Sequence, residues 1–356
     1  MTTVEQAEQL IQFQIKDYGV ESIPFESALG RALAEDIIAD RDLPPFNRVT
    51  MDGIAVSYQS IESGVSSFRI KATQAAGDEP INTDYPDECI EIMTGAALPG
   101  SVDTVIRYED IDIQNGVAKI LTNDITKGQN LHLQGADKKE GEVLASKGIL
   151  ISPAIISLAA SAGKAELMVK KSPRVVVISS GDELVTVDEQ PSPSQIRKSN
   201  SYTIKAVLSQ YRLSADLLHI PDDLAIIREK IDYCLKNYDV ILMTGGISMG
   251  KFDHIPKALD EMGVKTIFHK VSQRPGKPFW FGKYDSGVLV FAFPGNPVAV
   301  FMCMHRYFLP WLSTSQGLKP NPPVYAILDQ DFTFKPALQY FLQVKIRFSE
   351  QGQILA

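Results

Sequence analysis

The chain has few cysteines, no long apolar run and no excess of basic residues, and each shortage excludes a class of protein. Cys89, Cys234 and Cys303 are widely separated and form no C-x-x-C pair, which argues against a disulfide framework and a zinc site. No apolar run is long enough to cross a bilayer. The start, MTTVEQAEQLIQF, is acidic and lacks the basic residues of an export signal. A reducing cytoplasm without membrane attachment fits these absences.

Charge excludes another class. Asp and Glu exceed Lys and Arg by 43 to 35, a formal net charge of −8. This balance argues against nucleic acid as a general partner, although it leaves room for a local basic pocket that binds a small anion.

The first part of the chain predicts helices followed by a β-rich module. At 356 residues the chain is long enough for two to four modules. Apolar residues at helical spacing predict helices over 3–18 and 25–38. The stretch DLPPFNRVTMDG then interrupts, because a double proline cannot occupy a helix interior. From there to about Asp137, short β-prone segments between glycine turns predict a β-rich module, and ISPAIISLAASAG predicts a further helix.

Residues 174–316 alternate between apolar strands and helices. Strands are predicted at 174–181, 215–220 and 239–243, helices at 200–213, 221–237 and 254–263, and then the strands VKTIFHKV, PFWFG and GVLVFAF and a helix after FPGNP. This alternation predicts a doubly wound, mostly parallel sheet covered on both faces. After Gly317, two β-prone segments begin a partial C-terminal β domain. The predicted fold is therefore α/β with several domains.

Polar residues follow the predicted strands at the ends where an open parallel sheet binds ligands. They are Ser180, Gly181, Asp182 and Glu183 after the first strand; Asp222 after the second; Thr244, Gly245, Gly246, Ser248, Gly250, Lys251 and Asp253 in MTGGISMGKFDH; Lys270, Arg274 and Lys277 in KVSQRPGKP; and Pro294, Gly295, Asn296 and Pro297 in FPGNP. This mixture of glycines, bases and acids indicates a phosphorylated anion with Mg²⁺ bridging the phosphate and the carboxylates.

Each of these residues also has a purely structural interpretation. Asp182 and Glu183 could stabilise the first turn of a helix, and Asp222 could be an N-terminal helix residue. Asn296 followed by proline is typical of a helix N-cap, and the bases could lie on a solvated loop. Their coincidence at one sheet edge favours a site. In the β-rich module, Asp52 in TMDG is by itself more typical of a turn residue.

Seven motifs occur in one order over about residues 28–301: ALGRALAEDI, PPFNRVTMDGIAV, MTGAALPG, ISSGDELV, MTGGISMGKFDHIPKAL, RPGKPFWFG and FPGNPVAVF. Together they closely resemble the molybdopterin molybdenumtransferase family, which includes the gephyrin E-domain. The resemblance implies an elongated homodimer with four regions per chain. Region one is 1–41 and 138–170, region two the insert 42–137, region three the molybdopterin-binding α/β fold 171–316, and region four the β region 317–356.

The resemblance also implies an activity. Members use Mg²⁺ to cleave adenylated molybdopterin, release AMP and place molybdenum from molybdate on the dithiolene, in a cleft between region three of one protomer and region two of the other. Six positions match family residues tied to activity or metal binding: Asp52, Thr94, Asp137, Glu183, Asp222 and Asp253. Of these, Glu183, Asp222 and Asp253 are the implied metal ligands. Lys270, Arg274 and Lys277 match the anion-binding loop, and Pro294 and Pro297 the PGNP turn. Other molybdenum cofactor biosynthesis proteins are further partners that the resemblance allows.

Some positions depart from the family pattern. Asn47 and Lys251 stand where the family often has acids, Ile54 where it often has Tyr, and Arg274 where it often has Lys. Because family members continue for some tens of residues, we expect region four to be incomplete and poorly ordered after about Phe334. Two other functions stay open: a non-catalytic pterin-binding scaffold, and an adenylyl-transferring relative that shares the α/β domain. The TMDG module argues against the second.

Overall fold

The computed structural model describes residues 1–246, 254–320 and 322–356. They form two compact units. Unit one comprises Met1–Glu35, Lys147–Ile156 and Glu166–Ala356, and unit two comprises Asp36–Ser146 and Ser157–Ala165. The division into four regions stays a prediction. Within the described residues, no helix has the length and apolar character needed to span a membrane.

Unit one is built on a six-stranded sheet. Its strands lie in the order Ala215–Ile220, Val175–Ser180, Val240–Thr244, Leu289–Phe293, Trp280–Lys283 and Lys265–His269. The first four are parallel to one another, and the last two pair antiparallel. The doubly wound, mostly parallel sheet predicted from the sequence is therefore confirmed.

The strand Val175–Ser180 shows why this segment is apolar throughout. Successive side chains of a strand point to opposite faces. Val175 and Val177 lie in one hydrophobic cluster, whereas Val176 and Ile178 lie in another. Because both faces of the strand are covered, every position is buried.

Helices and short strands surround this sheet. The helices are Val4–Gln12, Asn200–Gln210, Leu224–Asn237, His254–Glu261, Pro297–Cys303 and Leu309–Ser315, with a π turn at Met304–Phe308 between the last two; Pro153–Ser161 crosses the boundary between the units. The short strands are Val20–Pro24 with Glu166–Lys170, Leu184–Val185 with Ile196–Arg197, Gln273–Arg274 with Gln339–Tyr340, and Arg347–Phe348 with Ile354–Leu355. The π turn ends two residues before Pro310, which lacks the N–H that a regular helix requires.

Unit two contains its own six-stranded sheet. The strand order is Thr104–Arg107, Gly53–Val56, Glu88–Ile92, Ser67–Gln74, Val117–Ile120 and Ile111–Gln114. Ile37–Ile38 pairs with Val143–Ala145, and Arg48–Val49 pairs with Leu131–His132. A helix at Tyr58–Glu62 and a 3₁₀ turn at Tyr108–Asp110 complete the unit. The two faces of the sheet contribute to separate hydrophobic clusters, with Ala55 in one and Ile54 in the other.

The predicted helix over 25–38 is wrong. Only a 3₁₀ turn forms, at Phe25–Ser27, and the chain then turns at Gly30, whose φ of +77° lies in the left-handed region. Ala32 and Leu33 bridge to Leu150 and Val169. Pairing with neighbouring segments therefore outweighs the helical propensity of ALGRALAEDI. The first helix is also shorter than predicted and ends at Gln12.

Gly53 tests how tightly the sheet of unit two is packed. A Cβ added there would overlap the carbonyl oxygen of Ile106 and would lie 2.8 Å from Arg107 Cα. We expect Gly53→Ala to lower the free energy of unfolding by about 1–3 kcal/mol, as overpacking does. The matched control is Gly100→Ala in the same unit, where the nearest atom would be 3.9 Å away. Equal denaturation midpoints for the two variants would contradict the expectation.

Candidate active site

The strand Val175–Ser180 of the unit-one sheet ends in a buried hydroxyl that has no partner among the described residues. Ser180 is only 3% exposed, and its Oγ makes no hydrogen bond with any described residue. Gly245 and Gly246 lie beside it, with φ of +87° and +64°. A Cβ on Gly246 would come within 2.7 Å of this oxygen. A side chain there would overlap the hydroxyl, so this position beside Ser180 requires a residue without a Cβ.

Three acids lie at the same edge of the sheet. The carboxyl group of Glu183 folds back over Gly181, where an added Cβ would lie 2.7 Å from its Cδ. Asp182 Oδ1 accepts a hydrogen bond from the backbone N–H of Asp222 at 3.1 Å. This bond ties the turn after one strand to the turn after its neighbour. Asp222 precedes the helix that begins at Leu224 with Asp223 as its N-cap, so it is not a helix residue.

Hydrogen bonds hold the turn that follows the strand Leu289–Phe293. Asn296 caps the following helix by accepting hydrogen bonds from the backbone of Val298 and Ala299, and Pro297 is its first residue. The capping interpretation of Asn296 is therefore confirmed. Asn200 Nδ2 donates to the carbonyl oxygen of Gly295 at 2.8 Å, which fixes the turn against a neighbouring helix.

Two cavities open at this edge. The smaller one has a volume of about 110 Å³, and six of the predicted site residues line it: Ser180, Glu183, Thr244, Gly245, Gly295 and Pro297. The other has a volume of about 380 Å³ and is lined by Arg274, Lys277, Pro294 and Asn296. The cavity at Ser180 thus combines an unpartnered hydroxyl and one acid, Glu183, with two bases, Arg197 and Lys198. The other cavity is lined by bases and by no acid.

Buried polar contacts shape the basic loop. Gln273 is fully buried, and its Nε2 donates to the carbonyl oxygen of Gly276 at 3.2 Å. The hydroxyl of Tyr307 donates to Gln273 Oε1. The loop that carries Arg274 and Lys277 is therefore anchored to the π turn Met304–Phe308. Lys270 lines neither cavity; its backbone pairs with Thr2 and Phe279.

In unit two, Asp52 and Thr94 meet although 42 residues separate them. The backbone N–H of Thr94 donates to Asp52 Oδ1 at 2.7 Å. This bond, with a smaller contribution from the Thr94 hydroxyl, lowers the pKa of Asp52 below its usual value. Asp52 is thus a carboxylate at neutral pH, able to accept a proton or a hydrogen bond but not to act as an acid.

Asp137 lies in a different contact of unit two. Its Oδ1 is 2.9 Å from His132 Nε2, and His132 Nδ1 lies 3.1 Å from an Nη atom of Arg48. Since the Arg48 guanidinium can only donate, His132 Nδ1 accepts its hydrogen bond. The ring proton is therefore on Nε2, which donates a hydrogen bond to Asp137. The other four predicted residues, Ser248, Gly250, Lys251 and Asp253, lie outside the described residues.

Comparison with known proteins now decides the family. Residues 2–163 match the MoeA N-terminal region (domain I and II), and residues 176–314 match the probable molybdopterin binding domain. A molybdopterin molybdenumtransferase of Synechocystis is 36% identical over 361 aligned residues, which cover all of this chain and 90% of that protein. The chain belongs to the molybdopterin molybdenumtransferase family. It is a family of transferases, and its role is in molybdenum cofactor biosynthesis.

Further relatives agree across nearly the whole length. A molybdopterin molybdenumtransferase of Staphylococcus epidermidis is 30% identical, with 93% of this chain and 80% of that protein aligned. The crystal structure of the molybdopterin biosynthesis MoeA protein of Pyrococcus horikoshii OT3 superimposes with a TM-score of 0.83 at 26% identity. It covers all of this chain and 89% of its own.

The acids at the carboxyl edge of the unit-one sheet are suited to binding a hard cation. Their donor atoms are oxygens, which Mg²⁺ prefers, and Mg²⁺ commonly takes one or two carboxylates with phosphate oxygens and water. Glu183 and Asp222 supply two carboxylates at neighbouring strand ends. No group of three or more His, Cys, Asp or Glu in residues 1–246, 254–320 and 322–356 could hold a metal unaided. Further oxygens, such as those of a phosphate or of water, would complete the coordination.

The sequence did not indicate several residues that shape this edge. His219 Nδ1 donates to the carbonyl oxygen of Ser179 at 3.1 Å, and burial, followed by nearby Lys198, lowers its pKa, which favours the neutral ring. Gln273 and Asn200 hold the basic loop and the PGNP turn. Lys198 lies just before the predicted helix 200–213 and Asn200 begins it, but no sequence pattern connected either residue, or His219 and Gln273, with the site.

Replacing Thr94 tests how Asp52 is kept ionised. We expect Thr94→Val to raise the pKa of Asp52 only part of the way to its usual value, because the backbone N–H that contributes most remains. Thr94→Ser should leave it unchanged. Since the folded-state pKa lies below the unfolded one, the bond stabilises the fold at neutral pH, and this contribution disappears as pH falls through the folded pKa.

Carboxyl ¹³C NMR titration of the two variants and the parent measures this pKa. An unchanged pKa in Thr94→Val would show that the hydroxyl has no effect. A return to the ordinary value of about 3.9 would show that the backbone bond has none.

Proposed function

We propose that the protein is a molybdopterin molybdenumtransferase: it cleaves adenylated molybdopterin in a Mg²⁺-dependent reaction, releases AMP, and transfers molybdenum from molybdate to the dithiolene. The observation that carries this proposal is the carboxyl edge of the unit-one sheet. There, the unpartnered Ser180 hydroxyl and Glu183 line one cavity together with two bases, and the unpaired bases Arg274 and Lys277 line another. The chain is related along its full length to named molybdenumtransferases.

The cavity at Ser180 suits the phosphate end of the pterin substrate. The Ser180 hydroxyl can donate to a phosphate oxygen, and Gly245 and Gly246 allow the ligand to approach the backbone closely. When bound, Mg²⁺ would supply charge stabilisation to the pyrophosphate oxygens. Glu183 and Asp222, with Asp253 of the MTGGISMGKFDH motif, would hold it.

The second cavity suits molybdate. Arg274 and Lys277 form no ion pair with any described carboxylate, so their charges are available to an oxyanion. Once molybdenum has been transferred to the pterin, it needs soft sulfur ligands. The protein's three cysteines are buried apart from one another, and the sulfur is therefore that of the substrate dithiolene.

Asp52, Thr94 and Asp137 are proposed to serve the same reaction. Asp52 is an ionised acceptor and suits proton removal or the orientation of water during insertion. That these residues act in a homodimer, and that other molybdenum cofactor biosynthesis proteins bind, stays a prediction.

The direct test supplies the full chain with adenylated molybdopterin, molybdate and Mg²⁺, and measures both AMP and the cofactor that activates an apo-molybdoenzyme. We expect both products, and we expect EDTA to stop AMP release. Binding without AMP release would favour a pterin-binding scaffold. Formation of an adenylylated product, or AMP release without cofactor, would favour the adenylyl-transferring alternative.

Asp52→Ala tests the contribution of unit two. We expect cofactor formation to fall by about 100-fold or more, the scale of a lost acid–base group, while the far-UV spectrum stays unchanged, since Asp52 is exposed. The thermal midpoint should fall only slightly, because the hydrogen bond from Thr94 is lost. Asp124→Ala removes another exposed acid of unit two and should leave the rate as it is. Similar rates for the two variants would remove Asp52 from the reaction.

A further inference from the structure

Unit one has a further polar cavity, at the amino ends of its parallel strands. It has a volume of about 570 Å³ and is lined by residues at the starts of the strands Val175–Ser180 and Ala215–Ile220. A strand rises about 3.3 Å per residue, so the length of these strands separates it from the carboxyl edge. The volume is in the range of small-molecule sites. We call it the amino-edge cavity.

The amino-edge cavity is basic in an acidic protein. Its lining includes four cations and two acids: Arg31, Lys171, Arg174 and Arg212, and Glu21 and Asp216. Both acids already have partners. Glu21 pairs with Arg31 at 2.6 Å, and Asp216 accepts a hydrogen bond from the Tyr238 hydroxyl at 2.6 Å.

Two of the four cations have no partner. Arg174 pairs with Asp239, whereas neither Arg212 nor Lys171 makes a side-chain hydrogen bond or ion pair with a described residue. One Nη atom of Arg31 donates both to Glu21 and to the carbonyl oxygen of Lys170, the latter at 2.8 Å. No described residue accepts a hydrogen bond from its other Nη atom. The unspent donors therefore suit an anion with more than one oxygen.

The backbone holds Arg212 in an unusual place. It follows the helix Asn200–Gln210 with φ of +54°. The N–H groups of Arg212 and Leu213 bond to the carbonyl oxygens of Ser209 and Leu208. This is the Schellman geometry, in which the left-handed position is usually glycine. An arginine in this position is strained, and its side chain packs on Gly30, next to Arg31.

Aromatic surface borders the same cavity. Tyr233 is 54% exposed, and its ring contacts that of Tyr238 edge to face, with 6.3 Å between centroids. Because the Tyr238 hydroxyl is engaged by Asp216, the pair is fixed. Tyr233 thus presents a flat apolar ring beside the free cations, a combination that suits a ligand with a planar ring and an anionic group.

We propose that the amino-edge cavity binds a ring-bearing phosphate monoester, with its phosphate on Arg212 and Lys171 and its ring against Tyr233. A nucleoside monophosphate and a phosphorylated pterin share this chemistry. The proposal does not depend on the function proposed for the carboxyl edge.

Calorimetry on the full chain tests this with 5′-AMP, neopterin phosphate, inorganic phosphate and adenosine as separate probes. We expect at least one ring-bearing phosphate to bind at least tenfold more tightly than inorganic phosphate or adenosine; which of the two binds identifies the source. Equal affinity for inorganic phosphate, or no binding of either ester, would overturn the proposal.

Arg212→Gly separates binding from folding. Glycine relieves the left-handed strain, so the thermal midpoint should be equal or higher while ester affinity falls at least tenfold. Lys205→Ala removes an exposed cation of the preceding helix, outside the cavity lining, and should bind like the parent. Tyr233→Ala should weaken ester binding and leave inorganic phosphate unaffected. Loss of ester binding in Lys277→Ala but not in Arg212→Gly would assign it to the carboxyl edge and overturn the proposal.

Crystals soaked in 8-bromo-AMP provide the location if AMP is the ester that binds. Anomalous scattering from bromine should lie near Tyr233. A bromine peak only at the cavities beside Ser180 or Arg274 would contradict the assignment.

Discussion

Burial of the strand Val175–Ser180 on both faces is the constraint on which unit one depends. Its side chains alternate between two hydrophobic clusters, and both neighbours in the sheet are parallel to it. Such a strand has no polar face along its length. Polar chemistry can therefore lie only at its two ends, and the structure has a polar cavity at each end.

The same constraint explains why the sheet was predictable. A segment such as RVVVISSG can be apolar throughout only where both faces are covered, so its pattern determines its surroundings. The segment ALGRALAEDI carries no such information. Its alanines and leucines suit a helix, yet Ala32 and Leu33 pair with chain more than a hundred residues away. The local propensity was real, and the tertiary pairing was stronger.

The candidate site divides in the same way. Acids and glycines that follow strands were predictable as one edge because topology brings strand ends together. The contact of Asp52 with Thr94 depends on the register that pairs Gly53 with Ile92, which no local pattern specifies. The role of Gln273 depends on Tyr307, 34 residues later, and a buried glutamine looks like any other in sequence. Pairing partners far along the chain are thus what sequence reasoning could not supply.

Charge compensation distinguishes the proposed binding surfaces from the rest of unit one. In a protein of net charge −8, most arginines have a nearby carboxylate, as Arg174 and Arg228 do, and such pairs offer little to an anion. Arg274 instead lies over the ring of Phe334, 6.0 Å from its centroid, and Arg212 packs on Gly30. When a cation is held by packing rather than by a carboxylate, no neighbouring negative charge offsets its own. A long-range field from an acidic surface repels anions. It follows that anion binding here must come from short-range contacts with such uncompensated cations, and that its affinity should depend on them individually.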